Sequence, residues 1–300
     1  MNITNVIEAK NIVKKYKGFT LNVPEFHVPE GFATALVGEN GTGKTTLMNI
    51  LSGIRLDYKG EISYFGQYSD KDRENSPEVK EKIGYVGADA YYFPQWTIKN
   101  IKELSNLLFD TFDEKKFYVI CTDLAIFPGQ EIDENKKNSA LSDGNKMKLM
   151  LAGVLARDTD LLILDEPASP LDPLMRDRLC QMIRNYIEEG NGKHTAFYST
   201  HDIADMEGVT DYVIILEHGM VVEEGFSEDL KEKYVIVKGD EKDIEAAKKI
   251  LYTITVNKYG FEGMCLAENL DQLAGLDVVK ETPTLAQVCI AVMKANSMLK

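Results

Sequence analysis

The chain has 300 residues, 44% of them hydrophobic, and a formal net charge of −14. That length suits one large domain or two smaller ones, and the acidity argues against nucleic acid as the main ligand. No apolar run approaches the roughly 20 residues needed to span a bilayer, and Met1-Asn2-Ile3-Thr4-Asn5-Val6 lacks the basic-then-apolar layout of a signal peptide.

Along the chain, Phe32-Ala33-Thr34-Ala35-Leu36-Val37 reads as a buried strand. The segment Gly38-Glu39-Asn40-Gly41-Thr42-Gly43-Lys44-Thr45 follows and fits G-x-x-x-x-G-K-[ST]; a helix opens at Thr46-Leu47-Met48-Asn49-Ile50-Leu51. A strand, a glycine-rich loop and a helix in this order form a phosphate-binding loop. The glycines let backbone N–H groups turn toward phosphate oxygens, and the helix adds the positive end of its dipole. Lys44 is expected to reach the β- and γ-phosphates and the Thr45 hydroxyl to ligate Mg²⁺. The whole run Gly38–Thr46 is therefore assigned to nucleoside triphosphate.

Residues 1–87 read as strands and this loop. From about 90 to 155 the pattern is mostly helical, with Ile98, Ile101, Leu104, Leu107 and Leu108 at helical spacing and a second helix around Phe117-Tyr118-Val119-Ile120. The aromatic cluster Tyr91-Tyr92-Phe93 with Trp96 stands at the entry to this region, as local core or as part of a partner's groove. From 157 to 225 strands and helices alternate, as in a parallel sheet. There Asp160-Leu161-Leu162-Ile163-Leu164-Asp165-Glu166-Pro167 is an apolar run ending in two carboxylates. Beside a phosphate loop, Asp165 falls where Mg²⁺ sits and Glu166 where a base orients the attacking water. Met175, Leu179, Met182, Ile183, Tyr186 and Ile187 mark a helix facing the sheet.

Beyond Glu224-Gly225 the character changes. A strand at Tyr234–Val237, a charged helix at about 241–251, a strand at Thr253–Val256 and a final helix from Pro283, capped by Thr284 or Thr282, read as a small α+β unit. We place the boundary after residue 228, giving a nucleotide-binding domain at 1–228 and an accessory domain at 229–300. Cys121, Cys180, Cys265 and Cys289 have no metal-ligand spacing and read as reduced, buried thiols.

Further motifs resemble those of ABC-type ATPases. Leu141-Ser142-Asp143-Gly144-Asn145 is similar to the LSGGQ signature, Ala168-Ser169-Pro170-Leu171-Asp172-Pro173 to the D-loop, and Phe197-Tyr198-Ser199-Thr200-His201-Asp202 to the strand carrying a switch histidine. Asp211–Gly219 closes the pattern, and Tyr16 stands where the family places an aromatic that stacks on adenine. The resemblance covers about residues 6–230. It implies an α/β P-loop NTPase fold with a mostly parallel sheet, an inserted helical subdomain and a small C-terminal α+β appendage. It also implies ATP and Mg²⁺ as cofactors, His201 beside Glu166 in catalysis, and Asp172 in the D-loop. Ser142 and Gly144 would cap the γ-phosphate held by the other subunit. Ser142 reads independently as a helix N-cap, whose free N–H groups form an anion site.

Two departures stand out. Asp143 and Asn145 replace the usual Gly and Gln of the signature, and an acid near a triphosphate is electrostatically awkward. In Ile83-Gly84-Tyr85-Val86-Gly87-Ala88-Asp89 the expected Gln position falls on Ala88, while Gln95 lies too late. Either Asp89 substitutes as the Mg²⁺ or water contact, or that contact is missing.

The function implied by the resemblance is the ATPase subunit of a membrane transporter of exporter type. It would be cytoplasmic and peripheral on the inner face of the membrane, partnered by an integral membrane permease and by a second ATPase copy as homodimer or heterodimer. Two alternatives stand beside it: a soluble ABC ATPase acting on ribosome or DNA, and an ATP-gated regulator. Single-domain length and the lack of a heptad run argue against the first, and the retained Glu166 and His201 against the second.

Overall fold

The structure is a computed structural model that describes residues 4–89, 91–127, 129 and 131–297. Met1, Asn2 and Ile3 of the N-terminal segment lie outside the described residues. Strands β1 (Asn5–Tyr16) and β2 (Phe19–Pro29) form an antiparallel hairpin. Next comes β3 (Ala33–Val37), whose five residues are all buried, as expected of a central parallel strand covered on both faces. It feeds the phosphate loop and α1 (Lys44–Ser52). Strands β4 (Lys59–Tyr64) and β5 (Tyr68–Ser69) extend the hairpin into a sheet of order β2-β1-β4-β5.

Between β5 and β6 (Ile83–Val86) the chain forms two short helices, α2 (Asp70–Asn75) and α3 (Pro77–Lys82), where only strands and the loop were expected. A reciprocal Ser69–Asp72 capping box starts α2, and Pro77 sits at the first turn of α3.

The helical subdomain comprises α4 (Ile98–Leu108), α5 (Glu114–Asp123) and α6 (Asp143–Leu155). Capping is specific. Thr97 accepts from the Asn100 N–H, Asp113 from Lys115 and Lys116, and Ser142 from Asn145. The apolar spacing overstates the core face, since Leu107, Leu108 and Val119 are exposed.

The second half returns to the sheet through β7 (Leu161–Leu164), α7 (Pro173–Glu189), β8 (Thr195–Thr200), β9 (Tyr212–Glu217) and β10 (Met220–Phe226). The main sheet has the order β10-β9-β3-β8-β7-β6 and is parallel except for the β10 edge. This order sets β3, β8 and β7 side by side, so their C-terminal ends, each followed by a functional segment, share one edge.

The C-terminal segment contains α8 (Ser227–Lys233), β11 (Tyr234–Gly239), α9 (Ile244–Ala247), β12 (Thr253–Asn257), β13 (Gly260–Leu266), β14 (Val278–Glu281) and α10 (Leu285–Asn296). Its strands form a third, antiparallel sheet of order β12-β13-β11-β14. The charged helix expected at 241–251 is a 3₁₀ turn plus the single turn of α9, which no side chain caps.

The boundary drawn at 228/229 falls inside α8. Leu230, Tyr234 and Ile236 belong to the main apolar cluster, and so do Leu285, Val288, Cys289 and Val292 of α10. A separate small core, with Val237, Phe261 and Cys265, lies only beneath the third sheet. The four cysteines are free and buried.

Candidate functional site

Residues at the C-terminal ends of β3, β7 and β8 converge. The phosphate loop needs Gly43 at φ +109°, the left-handed region, at the N-cap of α1. At Gly38 a Cβ would lie 2.3 Å from the Leu216 carbonyl oxygen, so the loop closes against β9 only with no side chain there. Lys44 is 5% exposed; its Nζ donates to the carbonyls of Gly38 at 2.7 Å and Glu39 at 3.1 Å.

Asp165 and Glu166 follow β7. Asp165 is fully buried, and its Oδ1 accepts from the Ser199 hydroxyl at 2.5 Å. Burial pushes its carboxyl above the ordinary range, partly offset by the hydrogen bond from Ser199 and the nearby Thr45 hydroxyl. Its Oδ2 is buried with no hydrogen-bond partner. Glu166 adopts φ +50°, a conformation that costs a non-glycine residue energy. The turn swings its carboxylate back over the loop, where Oε1 lies 3.4 Å from Lys44 Nζ and Oε2 2.8 Å from His201 Nδ1. Ser199 also accepts the Glu166 N–H at 2.9 Å. It thus ties both carboxylate-bearing residues to β8, a role the sequence hinted at only as a small polar residue inside an apolar strand.

Lys44, Glu166 and His201 face a cavity of about 640 Å³, also lined by Tyr16, Asn40 and Thr45. Gly41, Gly43 and Thr46 also line it; the Thr42 hydroxyl turns inward to the Glu39 carbonyl. Tyr16 is 40% exposed, with its hydroxyl 3.5 Å from Thr46 Oγ1. Lys14 and Arg55 lie over its ring, 5.3 and 5.6 Å from the centroid, both paired with Asp57. Sequence reading missed this support, in which Lys14 on β1 is joined by Arg55 and Asp57 from the segment after α1.

Ser142, Gly144 and Asp172 do not line this cavity. They sit at helix starts, Ser142 capping α6 and Asp172 capping α7 through the Met175 N–H at 3.1 Å. The α6 start instead adjoins Pro170, which lines the cavity: a Cβ on Gly144 would lie 3.0 Å from the Pro170 carbonyl oxygen.

A second cavity, of about 940 Å³, opens between the sheet and the helical subdomain. Asp89 lines it together with Thr45 and Asp165, and Ala88 lines both cavities. Of the aromatic cluster, Tyr91 and Phe93 are exposed, while Tyr92 and Trp96 pack against the main core.

A phosphate loop on a parallel sheet, with two carboxylates ending β7, separated from the loop's strand β3 by β8 alone, defines a nucleotide-hydrolysing P-loop fold. The family model described as ABC transporter matches residues 21–169. The thiamine import ATP-binding protein ThiQ of a Jannaschia species is 31% identical over 220 residues, covering 72% of this chain and 91% of ThiQ. The tungstate uptake system ATP-binding protein TupC of Peptoclostridium acidaminophilum is 32% identical over 223 residues, covering 73% of this chain and 99% of TupC. Among solved structures, a dimeric ATP-binding cassette in a post-hydrolysis state with ADP and Pi superposes with a TM-score of 0.62 at 25% identity, covering 73% of this chain and 98% of that one.

The chain belongs to the ABC transporter family of ATP-binding subunits and is an ABC-type ATPase. Subunits of this family bind ATP, form dimers and work with membrane permease components. The exporter type expected from sequence finds no support; ThiQ and TupC are both named for uptake. Among the described residues no helix is long and apolar enough to cross a membrane.

Proposed function

We propose that this chain hydrolyses ATP to power a membrane transporter of the uptake class, working as a pair of subunits that closes on nucleotide. The observation that carries the reading is the Glu166 carboxylate, held over the phosphate loop between Lys44 and His201 by a left-handed turn. In this reading Lys44 binds the β- and γ-phosphates, Tyr16 stacks on adenine, and Glu166 takes a proton from the attacking water while His201 orients its carboxylate. A triphosphate replaces the carbonyl and carboxylate partners that Lys44 now has.

The orphaned, buried Asp165 Oδ2 beside Thr45 fits a hard cation. Among the described residues no cluster of three or more His, Cys, Asp or Glu could hold a metal alone, as expected where phosphate oxygens complete the shell. Thr45 and Asp165 would hold Mg²⁺, with Asp89 at the rim of the adjoining cavity. When bound, Mg²⁺ neutralises charge on the β- and γ-phosphate oxygens.

Ser142 and Gly144 do not line the chain's own nucleotide cavity, which supports their acting on nucleotide held by a second subunit. The larger cavity, walled by Ile54, Tyr91, Trp96, Leu108 and Phe109, supports docking of a permease helix. In this reading the chain sits on the cytoplasmic face of a membrane as a peripheral subunit. Affinity capture of the chain from gently solubilised membranes tests the reading. An integral membrane protein retained in stoichiometric amount supports it, and recovery with ribosomal or DNA-associated partners contradicts it.

A further inference from the structure

The start of α6 carries a carboxylate that the sandwich does not need. Asp143 stands in its first turn, with a side chain 90% exposed. Its neighbours are committed elsewhere: the Ser142 hydroxyl caps the Asn145 N–H, and the Asn145 side-chain amide donates to the Ile126 carbonyl at 3.1 Å. Lys146, one turn on, has its Nζ 2.8 Å from Asp143 Oδ1 and a side chain only 25% exposed. We propose that Lys146 is a positioning residue of the ATP sandwich, holding the Asp143 carboxylate along the helix and cancelling its charge where the partner subunit's γ-phosphate docks. This rests on the sandwich reading above.

In isolation the pair is an exposed i,i+3 contact, and such contacts add little. Closure changes its weight. A second subunit bearing a triphosphate excludes water from the helix start, and an uncompensated acid there faces phosphate of the same sign in a poorer dielectric. The ammonium leaves the turn neutral, so the helix dipole and the free N–H groups again favour the anion. Lys146 also lowers the Asp143 carboxyl below its usual range, so the acid stays charged at physiological pH and its compensation is a standing requirement.

The test is a double-mutant comparison in the full-length Glu166→Gln background, where ATP persists. Dimer formation with MgATP is measured by light scattering after size exclusion, alongside MgATP affinity by calorimetry. Lys146→Ala should weaken the dimer about tenfold without changing nucleotide affinity, and the defect should shrink at high salt. Asp143→Gly combined with Lys146→Ala should restore the parent's dimer affinity, because no acid then needs cancelling. A merely structural lysine would not be rescued this way. A Lys146→Ala protein that dimerises like its parent, or a double variant that stays as weak as Lys146→Ala, overturns the inference while leaving the sandwich intact. A parent that does not dimerise at all overturns the sandwich and the inference with it.

Discussion

The Glu166 carboxylate and the His201 ring meet at 2.8 Å although 35 residues separate them. On its other side the same carboxylate lies 3.4 Å from Lys44, the loop's cation. The two contacts predict different losses. His201→Ala should lower turnover about tenfold or more, since Glu166 loses its orienting partner, and leave MgATP affinity unchanged. Lys44→Ala removes a charge-assisted phosphate contact and should cost about tenfold in MgATP affinity. Calorimetry and steady-state hydrolysis on both variants separate these roles; equal losses of affinity would contradict the division.

Asp89 stands beside Ala88, where the family's glutamine is missing, and shares a cavity with Thr45 and Asp165. If it serves the metal side, Asp89→Ala should raise the Mg²⁺ concentration for half-maximal hydrolysis, whereas Ala88→Gln should be tolerated. An unchanged Mg²⁺ titration for Asp89→Ala removes the proposed role.

Three carboxyls outside the catalytic pair, Asp211, Glu217 and Glu224, are raised above their usual values mainly by burial, Glu217 lying against the phosphate loop at Glu39. A raised folded-state pKa contributes stability that is fully present below the unfolded value and lost as pH rises through the folded one. Their sum should therefore make the melting temperature climb as pH falls from neutral toward the ordinary carboxylate range. Exposed acids lowered by hydrogen bonds, such as Asp72 and Asp113, act in the opposite sense only at lower pH. Differential scanning fluorimetry across this interval checks the sign, and a falling melting temperature would be inconsistent with it.

Truncation after residue 228 should destabilise the protein. It removes Leu230 and the buried face of α10, including Leu285, Val288 and Val292, from the main core. At about 1.5–3 kcal/mol per fully buried aliphatic side chain, the loss is on the order of 5 kcal/mol or more. Chemical denaturation of the truncated and full chains measures it; an unchanged midpoint would show that the C-terminal segment is separable after all.

How much was legible beforehand depended on the physics of each feature. The strand, loop and helix at 32–51 could be read because backbone geometry demands glycine at Gly38 and Gly43 and chemistry demands Lys44. The caps at Ser142 and Thr284 are local and were equally visible. Helices α2 and α3 escaped because they are short and polar, although Ser69, Asp72 and Pro77 carried their start signals. In β13, Gly260 and Gly263 blurred the alternation that marks a strand. Placing His201 against Glu166 needs the lateral strand order, β8 beside β7, which no local pattern encodes; only resemblance suggested it. The boundary at 228 was drawn from a shift in composition, which does not reveal that α10 packs back onto β9. Transport direction could not be read because none of the chain's nucleotide motifs encodes it.

The central claim is that two copies close on ATP, each signature helix completing the other's site. Glu166→Gln keeps the size and hydrogen bonding of the side chain but removes the base, which should slow hydrolysis by about 100-fold or more. Light scattering after size exclusion, with and without MgATP, reads the consequence directly. The account predicts that Glu166→Gln is monomeric alone and dimeric with MgATP, and that adding Ser142→Arg abolishes the dimer while each monomer still binds ATP. A Glu166→Gln protein that remains monomeric at saturating MgATP would contradict it.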